Sequence, residues 1–125
     1  MLHPNRFRPC HRLRSAADFE RVYRGGKRAG DGLFGVSALP NELGFARLGM
    51  SVSTRSVGNS VRRNRLRRII REVFRERRQG LPAVDLVVTS RPGAKDAAHA
   101  AIVTSLGRLI ERALPGPAPA RGPVT

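Results

Sequence analysis

The chain has 125 residues, of which 24 are Lys or Arg and 9 are Asp or Glu, so its formal net charge is +15 at neutral pH. This length fits one domain, because domains most often hold roughly 100–150 residues. The single cysteine, Cys10, excludes an intramolecular disulfide and a CxxC metal site. No apolar run reaches the ~20 residues that span a bilayer, and the N-terminus lacks the apolar segment of a secretory signal. We therefore expect a cytoplasmic protein.

The basic charge is the main functional indication. A pI near 11.9 on one domain is typical of a nucleic-acid binder, because phosphates supply the complementary charge. A disordered basic tail is the competing class. A hydrophobic content of 40%, arranged in periodic segments, favours a folded domain instead.

The periodicity predicts an α+β protein with the order α-β-β-α-β-α. A first helix opens at Ser15, where Ser-x-x-Asp resembles a capping box, and ends at Gly25-Gly26. Strands are predicted over residues 33–39 and 46–52, and the turn between them predicts a hairpin. A further short strand is expected around residues 27–31.

The second half of the chain begins with a predicted loop over residues 55–59. A long helix follows over residues 60–78 and stops at Gly80. A buried strand is predicted over residues 85–90 and a last helix over about 95–114. Residues 1–14 are expected to form an extended basic arm, 15–114 one nucleic-acid-binding domain, and 115–125 a disordered Pro/Gly-rich tail.

The long helix has one apolar face and one arginine-rich face. Its apolar arc consists of Leu66, Ile69, Ile70, Val73 and Phe74 on a helical wheel. The opposite arc holds Asn64, Arg67, Arg68, Arg71, Arg75 and Arg78. Like charges four residues apart repel, and arginines in the first turn oppose the helix dipole, so folding stability alone would not select this pattern. A polyanion lying across the helix reverses the sign of both effects, which predicts a phosphate-binding surface rather than a merely solvated face.

Residues 58–72, GNSVRRNRLRRIIRE, closely resemble the signature of the bacterial ribonuclease P protein subunit. The RNR triplet of that family falls on Arg63, Asn64 and Arg65. The overlapping stretch GMSVSTRSVGNSV resembles the family's strand-and-loop lead-in, RLRSAADFERVYRGGKR its first helix, and DLVVTSRPGA its last strand. The resemblance covers residues 12–114.

The resemblance implies a two-layer α/β sandwich of the ribosomal protein S5 domain 2-like type. Its mixed sheet would have the order α-β-β-β-α-β-α, with a left-handed βαβ crossover that holds the arginine-rich helix, against the usual right-handed rule. The additional strand would be the one around residues 27–31.

The resemblance also implies a function. Members of the family bind a large catalytic RNA, and the pair removes the 5′ leader from precursor tRNA by Mg²⁺-dependent hydrolysis, with the active site and the metals in the RNA. The expected partners are ribonuclease P RNA and precursor tRNA, with no membrane and no obligate protein partner. The residues agree with a non-catalytic protein, because a two-metal nuclease needs clustered carboxylates and the nine present are dispersed.

Two RNA-binding surfaces follow from the match to the family's motifs. The residues expected to face the catalytic RNA are Arg55, Arg62, Arg63, Asn64, Arg65, Arg67, Arg68 and Arg71. Phe19 and Tyr23 match aromatic positions that line a cleft for the single-stranded leader, although spacing alone does not separate a cleft ring from a core ring. The family pattern has an aromatic residue where this chain has Ser37. Phe34 does not replace it, because an odd separation along a strand places the two on opposite faces.

Three other classes remain as alternatives. A ribosomal or nucleoid-associated protein would share the charge pattern but would have no processing activity. A membrane-surface amphipathic helix would need its apolar arc exposed, whereas flanking strands predict that the arc is buried in a fold. A helix-turn-helix DNA reader is disfavoured because predicted strands separate the basic helix from the preceding one.

Overall fold

The structure is a computed structural model that describes residues 12, 13 and 15–115. The predicted tail and most of the predicted basic arm lie outside these residues. The elements in chain order are α1 (Ala16–Gly25), β1 (Lys27–Gly30), β2 (Phe34–Pro40), β3 (Arg47–Ser51), α2 (Thr54–Val57), α3 (Ser60–Arg77), β4 (Val84–Ser90) and α4 (His99–Ala113). The α+β class is confirmed, as is the short strand expected around residues 27–31.

The four strands form one mixed sheet in the order β1-β2-β4-β3. β2 pairs antiparallel with both β1 and β4, while β3 pairs parallel with β4. The predicted hairpin between β2 and β3 is therefore wrong, because β4 lies between them. β4 is buried along nearly its whole length, which suits it to the centre of the sheet. The parallel pair needs a crossover connection, which α2 and α3 provide.

Each face of the sheet packs against helices. α3 and α4 cover the face that carries Phe34, Val36, Leu86 and Val88, and together they enclose the main core. α1 lies on the opposite face, where Leu13, Val22 and Val87 form a smaller core with Phe19, Tyr23 and Leu39 packed against it. Because α1 is a single short helix, part of this second face carries a cavity beside it.

Helix boundaries follow local capping. Ser15 caps α1 as predicted, since its Oγ accepts a hydrogen bond from the Asp18 N–H at 3.0 Å. The loop predicted over residues 55–59 instead overlaps α2, which Ser53 caps in the same way. The last helix begins at His99 rather than near residue 95, because Pro92–Ala94 form a 3₁₀ turn and Ala98 has extended backbone angles.

Candidate nucleic-acid interface

The start of α3 is fixed by its two preceding residues. Gly58 has φ +89°, a conformation that favours glycine, and it turns the chain between α2 and α3. Asn59 then caps α3, its side chain accepting a hydrogen bond from the Arg62 N–H at 3.0 Å. The RNR triplet consequently occupies the first two turns of a helix whose register is set locally.

The apolar arc of α3 holds the helix against the core. All five residues predicted to form that arc are buried. Asn64 and Arg68 are exposed on the other side, and Arg67 and Arg71 are half-buried beside them. Arg55 is exposed on α2. The predicted division of α3 into an apolar and an arginine-rich face is confirmed.

One flank of α3 is engaged by the segment that precedes α4. The guanidinium of Arg62 lies 3.4 Å from the Asp96 carboxylate, and Arg65 donates a hydrogen bond to the Ala97 carbonyl at 3.3 Å. These two members of the predicted site therefore already have intramolecular acceptors. Sequence reasoning missed Asp96, because it lies more than thirty residues after Arg62 in the chain.

The other flank forms a concentrated positive cluster. Arg12, Arg68, Arg71, Glu72 and Arg75 surround a cavity of about 300 Å³. Glu72 is already bound, since it accepts a hydrogen bond from Arg75 Nε at 2.8 Å. Burial lowers the pKa of Arg71, and the charges of Arg12, Arg67 and Arg68 lower it further. Arginine remains protonated in proteins, so the cluster holds excess positive charge that an anion would stabilise.

A buried N–H group of Arg63 that lacks a hydrogen-bond acceptor in the described chain is a second indication that this surface binds a ligand. Its Nε atom is buried and finds no hydrogen-bond acceptor within the part of the chain that the structure describes. Buried N–H groups normally have partners. Arg63 is half-buried beside the exposed Asn64, so the RNR triplet combines one solvent-facing amide with guanidinium groups held close to the body of the protein.

The cavity beside α1 has a volume of about 440 Å³. Its nine lining residues are Tyr23, Arg28, Ala29, Gly30, Gly35, Val36, Ser37, Thr89 and Arg91. The hydroxyl of Tyr23 lies 2.9 Å from Thr89 Oγ1, which holds the ring over β4, an internal strand of the sheet. Tyr23 thus lines this cavity, and its role in binding the leader stays a prediction.

Phe19 lies next to Tyr23 but not in the cavity lining. The two ring centroids are 6.4 Å apart in an edge-to-face arrangement. The Phe19 ring lies against Gly49 and Leu13 in the smaller core. Ser37 does line the cavity, and Phe34 is fully buried on the opposite face of the sheet, as the odd separation predicted.

Arg91 is the cavity residue that sequence reasoning missed. It follows β4 with the same parity as Val87 and Thr89, so the alternation of side chains along a strand was the available signal. Using it required knowledge of which face of β4 lies toward α1.

The side chains that could bind a metal ion are not clustered in the described part of the chain. Within residues 12, 13 and 15–115, no group of three or more His, Cys, Asp or Glu side chains is positioned to hold a metal ion. Over the same residues, no helix is long and apolar enough to cross a membrane.

The fold and these two surfaces define a small basic α+β protein with an arginine-rich crossover helix. The family model described as ribonuclease P matches residues 7–114. The ribonuclease P protein component of Syntrophobacter fumaroxidans is 45% identical over 93 residues, which cover 73% of this chain and 77% of that protein. That of Legionella pneumophila strain Corby is 34% identical over 106 residues, covering 85% and 91%.

Solved structures agree. The RNase P protein of Staphylococcus aureus superposes with a TM-score of 0.76 at 36% identity, covering 81% of this chain and 93% of that one. The RNase P protein of Thermotoga maritima gives a TM-score of 0.73 at 28% identity, covering 84% and 98%. This chain belongs to the ribonuclease P protein component family, and so to the tRNA-processing ribonucleoproteins.

Proposed function

We propose that this chain is the subunit of ribonuclease P that binds the catalytic RNA through α3 and the 5′ leader of precursor tRNA in the cavity beside α1. In this role it assists the Mg²⁺-dependent endonucleolytic removal of the leader, while the active site lies in the RNA. The observation that carries the proposal is the arginine face of α3, which is anchored by a buried apolar arc and is nearly free of carboxylates.

The positive cluster supports phosphate binding by charge and by geometry. Arg68 is exposed and Arg71 is half-buried at the same cavity, and Glu72 is already occupied by Arg75. Guanidinium groups bind phosphate oxygens in a two-point fashion, and each phosphate contact releases condensed cations from the RNA. The arrangement suits an RNA backbone that lies along α3 and across Arg12.

The cavity beside α1 supports binding of a single strand. Unpaired bases stack on aromatic rings irrespective of sequence, and Tyr23 supplies such a ring. Arg28 and Arg91 add positive charge at the same cavity, which favours the sugar–phosphate backbone. The leader of a precursor tRNA has both chemical features.

We assign Mg²⁺ chemistry to the RNA, and the hydrogen bonds of Asp85 and Asp31 support this assignment because they commit both carboxylates to the fold. Asp85 accepts hydrogen bonds from Arg21, Arg47 and Asn41. Asp31 accepts from two backbone N–H groups and from Ser105. Asp18 and Asp85 both bind Arg21, and among the described residues no group of three or more metal-ligating side chains surrounds a common point, so we derive no metal-bound step for the protein.

The test is cleavage of precursor tRNA by a bacterial ribonuclease P RNA at low Mg²⁺, with and without this protein. We expect stimulation that gives the mature 5′ end, and no cleavage by the protein alone. The Arg68→Ala/Arg71→Ala double variant should lose stimulation, whereas Arg108→Ala/Arg112→Ala, with the same change in charge on α4, should retain it.

Two results would contradict the proposal. Tight RNA binding without stimulation would favour a ribosomal or nucleoid-associated protein. Cleavage by the protein in the absence of RNA would place the active site in the protein.

A further inference from the structure

Lys95 lies beside the turn that joins α2 to α3. It directly follows the 3₁₀ turn Pro92–Ala94, and its N–H donates a hydrogen bond to the Pro92 carbonyl at 3.1 Å. The same 3₁₀ turn lies against α2. A Cβ at Gly58 would lie 3.8 Å from Lys95 Cε. The lysine stem is therefore held against the α2–α3 turn, although more than thirty residues separate it from Gly58 in the chain.

The side chain of Arg62 approaches the same point. Its Nη1 would also lie 3.8 Å from a Cβ at Gly58, so the two basic side chains flank the bare backbone of that residue. Lys95 is exposed and Arg62 is half-buried, with 43% of its side chain accessible. Because glycine has no side chain, the space between these two groups is open to an anion.

The charges at this end of α3 are not balanced within the described chain. Arg62 pairs with the exposed carboxylate of Asp96 at 3.4 Å, and Arg65 donates to the neutral carbonyl of Ala97. Among the described residues, the Lys95 ammonium has neither a hydrogen-bond nor an ion-pair partner. Three cations are therefore accompanied by one ion pair, which leaves positive charge over at the α2–α3 turn.

This surplus charge lies next to the arginine face of α3. Arg55 is exposed on α2, and Arg62 belongs to the first turns of α3. Lys95 adds a third segment, the one that precedes α4. The positive surface thus continues from α3 around the α2–α3 turn and onto a part of the chain that follows β4.

We propose that Lys95 is a further RNA-binding residue, which together with Arg62 binds a phosphate of the catalytic RNA at the α2–α3 turn. The inference rests on the proposed function, since the ligand is the catalytic RNA. An ammonium on a flexible stem binds a phosphate as a point charge and does not need the fixed two-point geometry of a guanidinium. The RNA-binding surface then includes a residue outside the arginine-rich motif.

The first experiment uses the wild-type protein, because Lys95 and Lys27 are the two lysines of the chain. A lysine-directed acetylating reagent is applied to the protein alone and to its complex with a ribonuclease P RNA, and peptide mass spectrometry gives the acetylation of each lysine. Both side chains are exposed, and Lys27 lies on β1, at the edge of the sheet opposite β3. In the complex, Lys95 should lose most of its reactivity, whereas Lys27 should keep its own.

The second experiment compares matched variants in a salt titration of binding to the same RNA. Lys95→Gln should weaken binding roughly three- to fivefold at low salt. It should also reduce the log–log slope of affinity against salt by up to about one unit, the value for one lost phosphate contact. Lys95→Arg should keep the affinity and the slope because it keeps the charge. Lys27→Gln, which removes the other exposed lysine, should leave both at their wild-type values.

The outcomes separate this inference from the proposed function. The inference is overturned if the RNA protects neither lysine, if it protects both equally, or if Lys95→Gln binds with wild-type affinity and slope. Thermal unfolding shows whether Lys95→Gln is folded, and the acetylation experiment requires no substitution. If Lys95 is protected by the RNA but the protein does not stimulate cleavage of precursor tRNA, the processing role fails while the RNA contact stands.

Discussion

Asp85 and Arg47 lie opposite each other on the parallel strands β4 and β3, and their side chains form a two-point contact. Arg47 Nε donates to Oδ1 at 2.9 Å and Arg47 Nη2 donates to Oδ2 at 2.8 Å. Arg21 of α1 donates to the same carboxylate at 2.7 Å, and Asn41 donates at 2.8 Å. The Asp85 side chain is fully buried, so this one carboxylate links α1, β3 and β4.

Replacing Asp85 should therefore destabilise the fold. Asp85→Asn leaves the Arg47 guanidinium without its counter-charge and leaves Arg21 with Asp18 alone, and we expect the free energy of unfolding to fall by about 3 kcal/mol. That corresponds to a decrease of roughly 10 °C in Tm, measurable by calorimetry. Asp96→Asn is the matched control, because its carboxylate is exposed, and it should change Tm little.

The contact between Asp85 and Arg47 should also make the thermal stability of the protein depend on pH. Burial opposes ionisation of Asp85, but the hydrogen bonds from Arg47, Arg21 and Asn41 outweigh it and hold its pKa below the ordinary 3.8. A carboxylate with a lowered pKa contributes stability above its unfolded-state pKa, and loses that contribution as the pH falls through the folded-state pKa. The Tm difference between wild type and Asp85→Asn should be constant from pH 7 to about pH 5 and should shrink below 3.8. A difference that widens in acid would contradict this assignment.

The arginine face of α3 predicts a particular salt dependence. Arg68→Ala should weaken RNA binding and reduce the log–log slope of affinity against salt by up to about one unit, the value for one lost phosphate contact. Arg112→Ala should preserve the slope. The measurement is a salt titration of binding to ribonuclease P RNA, and an unchanged slope for Arg68→Ala would mean that this face is not the contact surface.

Asp96 is expected to limit RNA affinity. Its exposed carboxylate pairs with Arg62 and would repel a phosphate brought to the start of α3. Asp96→Asn should strengthen RNA binding by about two- to fivefold at low salt, with the gain disappearing at high salt because exposed charges are screened. Glu111→Gln removes an equally exposed partner of Arg77 at the other end of α3 and serves as the control. Weaker binding by Asp96→Asn would show that the pair orders the interface instead.

Phe19→Ala and Tyr23→Ala should affect different properties, the first stability and the second leader affinity. Phe19→Ala removes a half-buried ring from the smaller core and should lower the free energy of unfolding by about 2 kcal/mol, with leader-dependent affinity largely preserved in the folded fraction. Tyr23→Ala should reduce leader-dependent affinity about tenfold. Thermal unfolding and leader-dependent binding are measured together. A Phe19→Ala variant of normal stability that loses leader affinity would place its ring in the binding cavity.

Local sequence patterns predicted the elements well because they depend on near neighbours. Ser15 and Gly58-Asn59 mark helix boundaries through hydrogen bonds within a few residues, and the apolar arc of α3 follows from its period. The pairing of β2 with β3 was wrong because alternation shows which residues share a face, not which strand lies alongside. The insertion of β4 between them depends on contacts across dozens of residues.

For the candidate site, too, the sequence predicted what depends on near neighbours and missed what depends on distant contacts. The outward arginines of α3 follow from the helical period, so Asn64 and Arg68 were placed correctly on the exposed side. The engagement of Arg62 by Asp96, and of Arg65 by Ala97, was not predictable, because it depends on how the start of α4 meets α3. Arg91 was missed for the same reason, since its guanidinium lies beside Gly30 and Gly35 in the cavity next to α1, and this position depends on the register of β1, β2 and β4.

The central position of β4 has a consequence for how the chain folds. β4 is synthesised after α3, yet it provides the only strand partner of β3 among the described residues and one of the two partners of β2. Until residues 84–90 have left the ribosome, only local structure such as the β1–β2 pair and the turns of α3 has its partners available. Closing the sheet is then a late step of high contact order, which slows folding and leaves strand edges open in the meantime. The arginine-bearing helix is complete in the nascent chain before the sheet that supports it.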